Sequence, residues 1–230
     1  MAGLTDSRKE KRLLQYVSEG ELIEQRAYNA VMCGVVVYGL LFNYLLCKFV
    51  HVDFEVVNPV IFLIGYFVLC VAGTIMSTKS QNPIISFCGY NLVVVPVGLV
   101  LSISVQAYGG VDADIVEKAF LLTLLITAGM TAFSILKPEL FKSMGKVLFI
   151  ALLCLMLVGF ISYFFIGLYT IYLYLGVALF SLYIGYDIYK SQQYAPTVDN
   201  AIDSALDIYL DIVNLFIRIL QILARSSSRD

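Results

Sequence analysis

The chain has 230 residues, of which 60% are hydrophobic and 14% charged, and its formal net charge is −2. A soluble domain carries roughly 25% charged residues, so this composition describes an all-α integral membrane protein with no length to spare for a soluble domain. The composition also excludes nucleic-acid binding, which needs a basic patch interleaved with aromatics. The single histidine, His51, excludes a His-based zinc or haem site, and no cofactor is expected.

Residues 1–26 form a polar N-terminal segment carrying Arg8, Lys9, Lys11, Arg12 and Arg26 among Asp6, Glu10, Glu19, Glu21 and Glu24. No apolar h-region precedes Ala27, so a cleaved signal peptide is not expected. A first span over residues 27–49 is broken only by Asn29, Asn43 and Lys48. A second, over about residues 56–77, ends at the polar turn Thr78-Lys79-Ser80-Gln81-Asn82-Pro83.

The third span, residues 84–107, contains Asn91 and Pro96. Pro96 has no N–H and its ring opposes the carbonyl of residue 92, which predicts a kink. Two readings stay open: an ordinary packed kink, or a hinge lining a cavity. Gly109-Gly110-Val111-Asp112-Ala113-Asp114 is a turn; Asp112, Asp114 and Glu117 lack the spacing of a twelve-residue calcium loop. The fourth span, from Ile115 or Ala119 to Leu136, is stopped by Lys137-Pro138-Glu139.

Forty residues without a charge separate Lys146 from Asp187. As one helix they would extend roughly 60 Å, twice the hydrocarbon thickness, so the run folds back on itself. The fold-back is expected at Gly167-Leu168-Tyr169-Thr170, between a fifth span over residues 147–166 and a sixth over residues 171–190. Ser181 and Gly185 form a small-x-x-x-small pair that allows close helix approach, and Tyr163, Tyr169, Tyr172, Tyr174, Tyr186 and Tyr189 suit aromatic belts. Cys33, Cys47, Cys70, Cys88 and Cys154 lie in apolar runs without C-x-x-C spacing and read as buried free thiols.

Ten lysines and arginines fall on the side of the N-terminus and the even-numbered loops, against Lys48 and Lys118 on the other side. The N-terminus is therefore expected to be cytoplasmic. A seventh span over residues 201–223 completes a seven-helix transmembrane domain, residues 27–224, followed by a short polar tail, residues 225–230. A re-entrant last helix is the alternative that would keep Arg225 and Arg229 on the cytoplasmic side.

That last helix is the hub. Wound at about 100° per residue, it places Asp203, Asp207, Asp211, Asn214, Arg218 and Gln221 on one stripe roughly 80° wide. Ionisable groups cost several kcal/mol in hydrocarbon, so the stripe must face helices or a water-filled cavity. Asp187, one turn before the cytoplasmic end of the sixth helix, meets Asp211 on the returning seventh at similar depth. Two carboxylates in a poorly hydrated site share a proton and respond to pH. Deprotonated, they offer hard oxygens for Ca²⁺, too few for a tight cage but suited to transit. Lys79, ending the second span, can pair with one of these acids. The competing reading makes Asp187, Asp211, Asn214 and Arg218 polar glue between packed helices.

Ala205-Leu206-Asp207-Ile208-Tyr209-Leu210-Asp211-Ile212-Val213-Asn214-Leu215-Phe216, with Ile184-Gly185-Tyr186-Asp187 on the preceding helix, resembles the transmembrane Bax inhibitor motif family. The resemblance covers residues 27–223. It implies seven helices with the C-terminal one central, a pH-sensitive Ca²⁺ leak, and a paired-aspartate sensor at Asp187 and Asp211. Family members latch this pair with an arginine at the end of the second helix; here Lys79 takes the place, without arginine's bidentate geometry. Relative to that pattern, the middle of the third span carries no acidic residue.

The expected function is thus a pH-sensitive calcium leak channel, with the lipid bilayer, Ca²⁺ and protons as partners, in a bacterial plasma membrane, as a monomer or weak oligomer. A non-conducting regulatory or scaffolding protein is the alternative. An intramembrane aspartyl protease would carry Gly-x-Gly-Asp where this chain has Ile208-Tyr209-Leu210-Asp211, so no enzyme is expected.

Overall fold

The structure, a computed structural model, describes residue 12 and residues 21–52, 58–162 and 164–227. Among the described residues there are eight helices and no strand: α1 (Gln25–Phe49), α2 (Pro59–Lys79), α3 (Pro83–Ala107), α4 (Asp114–Leu136), α5 (Pro138–Phe141), α6 (Met144–Ser162), α7 (Ile166–Ser191) and α8 (Val198–Ser227).

Local chemistry sets several of these boundaries. Asn58 caps α2 by accepting from the N–H groups of Val60 (2.9 Å) and Ile61 (3.4 Å), with Pro59 at the first helical position, where its missing donor costs nothing. Asn82 accepts from Ile84 N–H (2.9 Å) as α3 begins. Gly109 and Gly110, both at positive φ, carry the chain out of α3 in a conformation that side chains resist. Asp114 and Glu117 sit in the first turn of α4, where the helix dipole favours acids. Asp114 is exposed and pairs with Lys118 (3.5 Å). Thr197 opens α8 by accepting from the Asn200 N–H (3.1 Å).

Six helices, α1, α2, α3, α4, α6 and α7, are long and apolar enough to cross a membrane. Their outward faces require lipid: Ile61 on α2 is 70% exposed and Phe160 on α6 is 71% exposed. Contiguous apolar surface of this kind is not kept in water by a soluble protein. The chain is an integral membrane protein. The expected seventh span is not among the six. At 30 residues α8 has length enough, but Asp199, Asp203, Asp207, Asp211, Arg218 and Arg225 interrupt its apolar sequence.

Two further expectations shift. The break between the fifth and sixth spans comes earlier than Gly167-Leu168-Tyr169-Thr170: α6 ends at Ser162 and α7 begins at Ile166, with Phe164 N–H bonded to Ile161 O (3.0 Å) and Leu168 N–H to Phe165 O (2.9 Å). Because α6 starts at Met144, three residues before the expected 147, its 19 residues already span about 28 Å by Ser162. Of the five cysteines, all free of disulfides, only Cys47 is buried; Cys33, Cys88 and Cys154 are exposed. A thiol is apolar enough to face lipid. The start of the second span, at residue 56, lies outside the described residues, as does most of the N-terminal segment.

The chain divides into two compact units, Met1–Ala107 with Ser191–Tyr209, and Tyr108–Lys190 with Leu210–Asp230. In the first, α2 and α3 meet at Gly73 and Gly89: a Cβ on Gly73 would lie 2.6 Å from the Gly89 carbonyl oxygen. Tyr28, Tyr90 and Tyr209 are fully buried there. Tyr90 donates to Val35 O (2.9 Å), Tyr28 donates to Ser191 O (3.0 Å), and Asn43 Nδ2 donates to the Tyr209 hydroxyl. In the second unit, Ser134 donates to Gly185 O (2.7 Å), and the space left by Gly185 is filled by Phe141 of α5. The small residue at 185 thus receives an aromatic ring, while Ser181 bonds to Val177 O (2.7 Å) on its own helix.

Candidate functional site

In the second unit the two acids singled out by the sequence lie on successive long helices. Asp187 is in the last turns of α7 and 9% exposed; Asp211 is on α8 and 7% exposed. The Tyr183 hydroxyl, one turn before Asp187, is close enough to feel the charge of both carboxylates. Lys190, one turn after Asp187, pairs with it at 3.2 Å. Asp187 therefore has a counter-ion on its own helix, a neighbour not weighed beside Lys79 in the sequence. The i, i+3 spacing was legible.

Further along α8 the stripe changes character. Asn214 donates to Leu210 O (2.8 Å), the carbonyl one turn back, and so serves its own helix. Arg218 lies over the Tyr172 ring, 4.2 Å from its centroid, in a slot that exists because Gly176 has no side chain: a Cβ there would be 3.1 Å from Arg218 Nε. Arg225 repeats the arrangement over Tyr169 at 5.0 Å.

The first unit holds a second cluster, built from the N-terminal part of α8. Asp203, 2% exposed, accepts from Ser77 of α2 and forms an ion pair with Arg12 at 2.5 Å. Asp207, also on the expected stripe, is 3.8 Å from the same guanidinium. Asp199, one turn before Asp203, accepts from Ser86 of α3 (2.5 Å), whose hydroxyl also lies 3.2 Å from Ser77 O. Burial pushes the Asp199 carboxyl up to about 6, the neighbouring charge of Asp203 adding to the effect, while the Ser86 hydrogen bond and Arg12 oppose it. Asp199 precedes the expected seventh span and belongs to none of the six apolar ones.

The cation seated on these acids is Arg12. Lys79, two residues beyond Ser77, ends α2 exposed and forms no ion pair among the described residues. Pro96 is buried within an uninterrupted α3, beside Val94 and Val97. Sequence reasoning missed Arg12, Asp199, Ser77 and Ser86. Asp199 had a signal, since it extends the stripe one turn backwards from Asp203; Arg12 had none, being one of several charges in a polar segment. Among the described residues no group of three or more His, Cys, Asp or Glu side chains gathers to hold a metal ion.

The model of a protein family described as "Inhibitor of apoptosis-promoting Bax1" matches residues 21–228. Three relatives are similar over shorter stretches. A protein of Campylobacter jejuni is 34% identical over 57% of this chain and 55% of its own length. Protein lifeguard 4 of Mus musculus is 32% identical over 49% of this chain and 48% of its own. Bax inhibitor 1 of Schizosaccharomyces pombe is 33% identical over 58% of this chain and 50% of its own. The chain thus spans about half the length of the curated relatives it matches.

Proposed function

The chain belongs to the Bax inhibitor family, and from that premise we propose that it is a pH-sensitive calcium leak channel gated by Asp187 and Asp211. The observation that carries this reading is the pair itself: two buried carboxylates on successive helices of one unit, sharing the neighbourhood of the Tyr183 phenol. Poor hydration makes simultaneous ionisation costly, so the pair titrates as a unit, holding one proton where separate acids would hold none. Ionised, it attracts Ca²⁺ by charge and hard oxygens. Two carboxylates are too few to retain the ion, which is what a transit site requires. Lys190 is the counter-ion of Asp187. Protonation of the acids removes that pairing and, with it, the site's attraction for a divalent ion.

The similarity to the Campylobacter jejuni protein supports a bacterial plasma membrane, and the excess of basic residues on one side supports a cytoplasmic N-terminus. A second reading, a non-conducting regulator of cell death, is favoured by the description of the family as an inhibitor of apoptosis.

Reconstitution tests the choice. Purified protein in liposomes containing a Ca²⁺ dye should pass Ca²⁺ faster at pH 6 than at pH 8. Asp187→Asn and Asp211→Asn should each remove that pH dependence. Absence of flux across the whole range, with neither substitution changing anything, would leave the regulatory reading.

A further inference from the structure

The first unit contains a buried ion pair that the leak reading does not use. Arg12 is 4% exposed and, among the described residues, is the one cation paired with the acids at the start of α8. Its guanidinium meets Asp203 and Asp207 and lies over the Tyr194 ring, 4.9 Å from the centroid. The backbone is engaged as well. Arg12 O accepts from Ala195 N–H (2.8 Å) and from Asn200 Nδ2 (3.3 Å), and a little further along Ile23 N–H donates to Pro196 O (2.8 Å). Asp203 meanwhile accepts from Ser77 of α2. One carboxylate therefore joins three parts of the chain: residue 12, α2 and α8.

We propose that Arg12 is a detachable clasp, an autoinhibitory contact that fastens residue 12 onto the start of α8 and onto the turn before it until its guanidinium leaves Asp203. The chemistry favours a two-position device over a permanent strut. A guanidinium paired with the buried Asp203 carboxylate is strongly held while seated. Once it leaves, the buried Asp203 carboxylate loses that compensation and draws in water or another cation. Replacing both partners by neutral groups removes the clasp without stranding a buried charge. The effect of the clasp on ion flux rests on the leak reading; its mechanical part does not.

Hydrogen exchange on the full-length protein in liposomes separates the two parts. The probe is the Ala195 amide, which Arg12 O covers, with the amides of α3 as the reference for intact folding. Arg12→Gln/Asp203→Asn should speed exchange at Ala195 at least roughly tenfold, leave α3 unchanged, and raise Ca²⁺ flux at pH 8. Arg12→Gln alone should do the same where it folds. An Ala195 amide as protected in the double variant as in the wild type overturns the clasp. So does a freed amide with unchanged flux in a protein whose flux still responds to Asp211→Asn, since the contact would then be structural only. If neither the wild type nor any variant conducts, the leak reading fails and exchange at Ala195 alone decides whether the clasp exists.

Discussion

Asp199 supplies a quantitative test of how unit one responds to acid. Its carboxyl titrates at about 6 in the folded chain against an ordinary value of 3.8, chiefly because burial penalises the charge. The folded state therefore binds more protons than the unfolded state between those values. The resulting stabilisation is fully present below 3.8 and is lost as the pH rises through 6. Moving from pH 7 to pH 5 recovers about 1 kcal/mol from this one group, which is roughly 2–4 °C in Tm for a chain of this length. Asp199→Asn keeps an oxygen to accept the Ser86 hydroxyl and cannot titrate. Thermal unfolding of both proteins in detergent at pH 7, 6 and 5 isolates the contribution, because the other acids are common to both. The wild type should gain those degrees relative to the variant on acidification. A difference that stays flat, or that changes in the opposite direction, would refute the assignment of a costly buried charge to this residue.

Three stability predictions follow from the same unit. Gly73→Ala places a methyl 2.6 Å from the Gly89 carbonyl oxygen and should cost about 1–3 kcal/mol, read as a lowered Tm. Gly34→Ala, where nothing lies within 4 Å, should gain up to about 1 kcal/mol in helix propensity. Asn43→Ala removes the donor to the buried Tyr209 hydroxyl and should lower stability by about 1–3 kcal/mol; Asn43→Leu/Tyr209→Phe, which removes both polar groups, should recover much of that loss in the same thermal assay.

Much of this protein is a one-dimensional property of its sequence. Apolar runs bounded by Asn82-Pro83 and Lys137-Pro138 mark helices whose length the bilayer imposes, and the four-residue spacing of Asp199, Asp203, Asp207 and Asp211 puts acids on one face of α8 whatever surrounds it. Even Lys190 beside Asp187 is a local matter of one helical turn. Tertiary structure decided what spacing does not encode. It seated Arg12, from the opposite end of the chain, on Asp203, left Lys79 exposed, and turned three of five cysteines outward. It also moved the turn after α6 to where an earlier start had used up the bilayer thickness. Periodicity states which face a charge occupies. Which counter-charge reaches that face depends on the path of the chain in three dimensions.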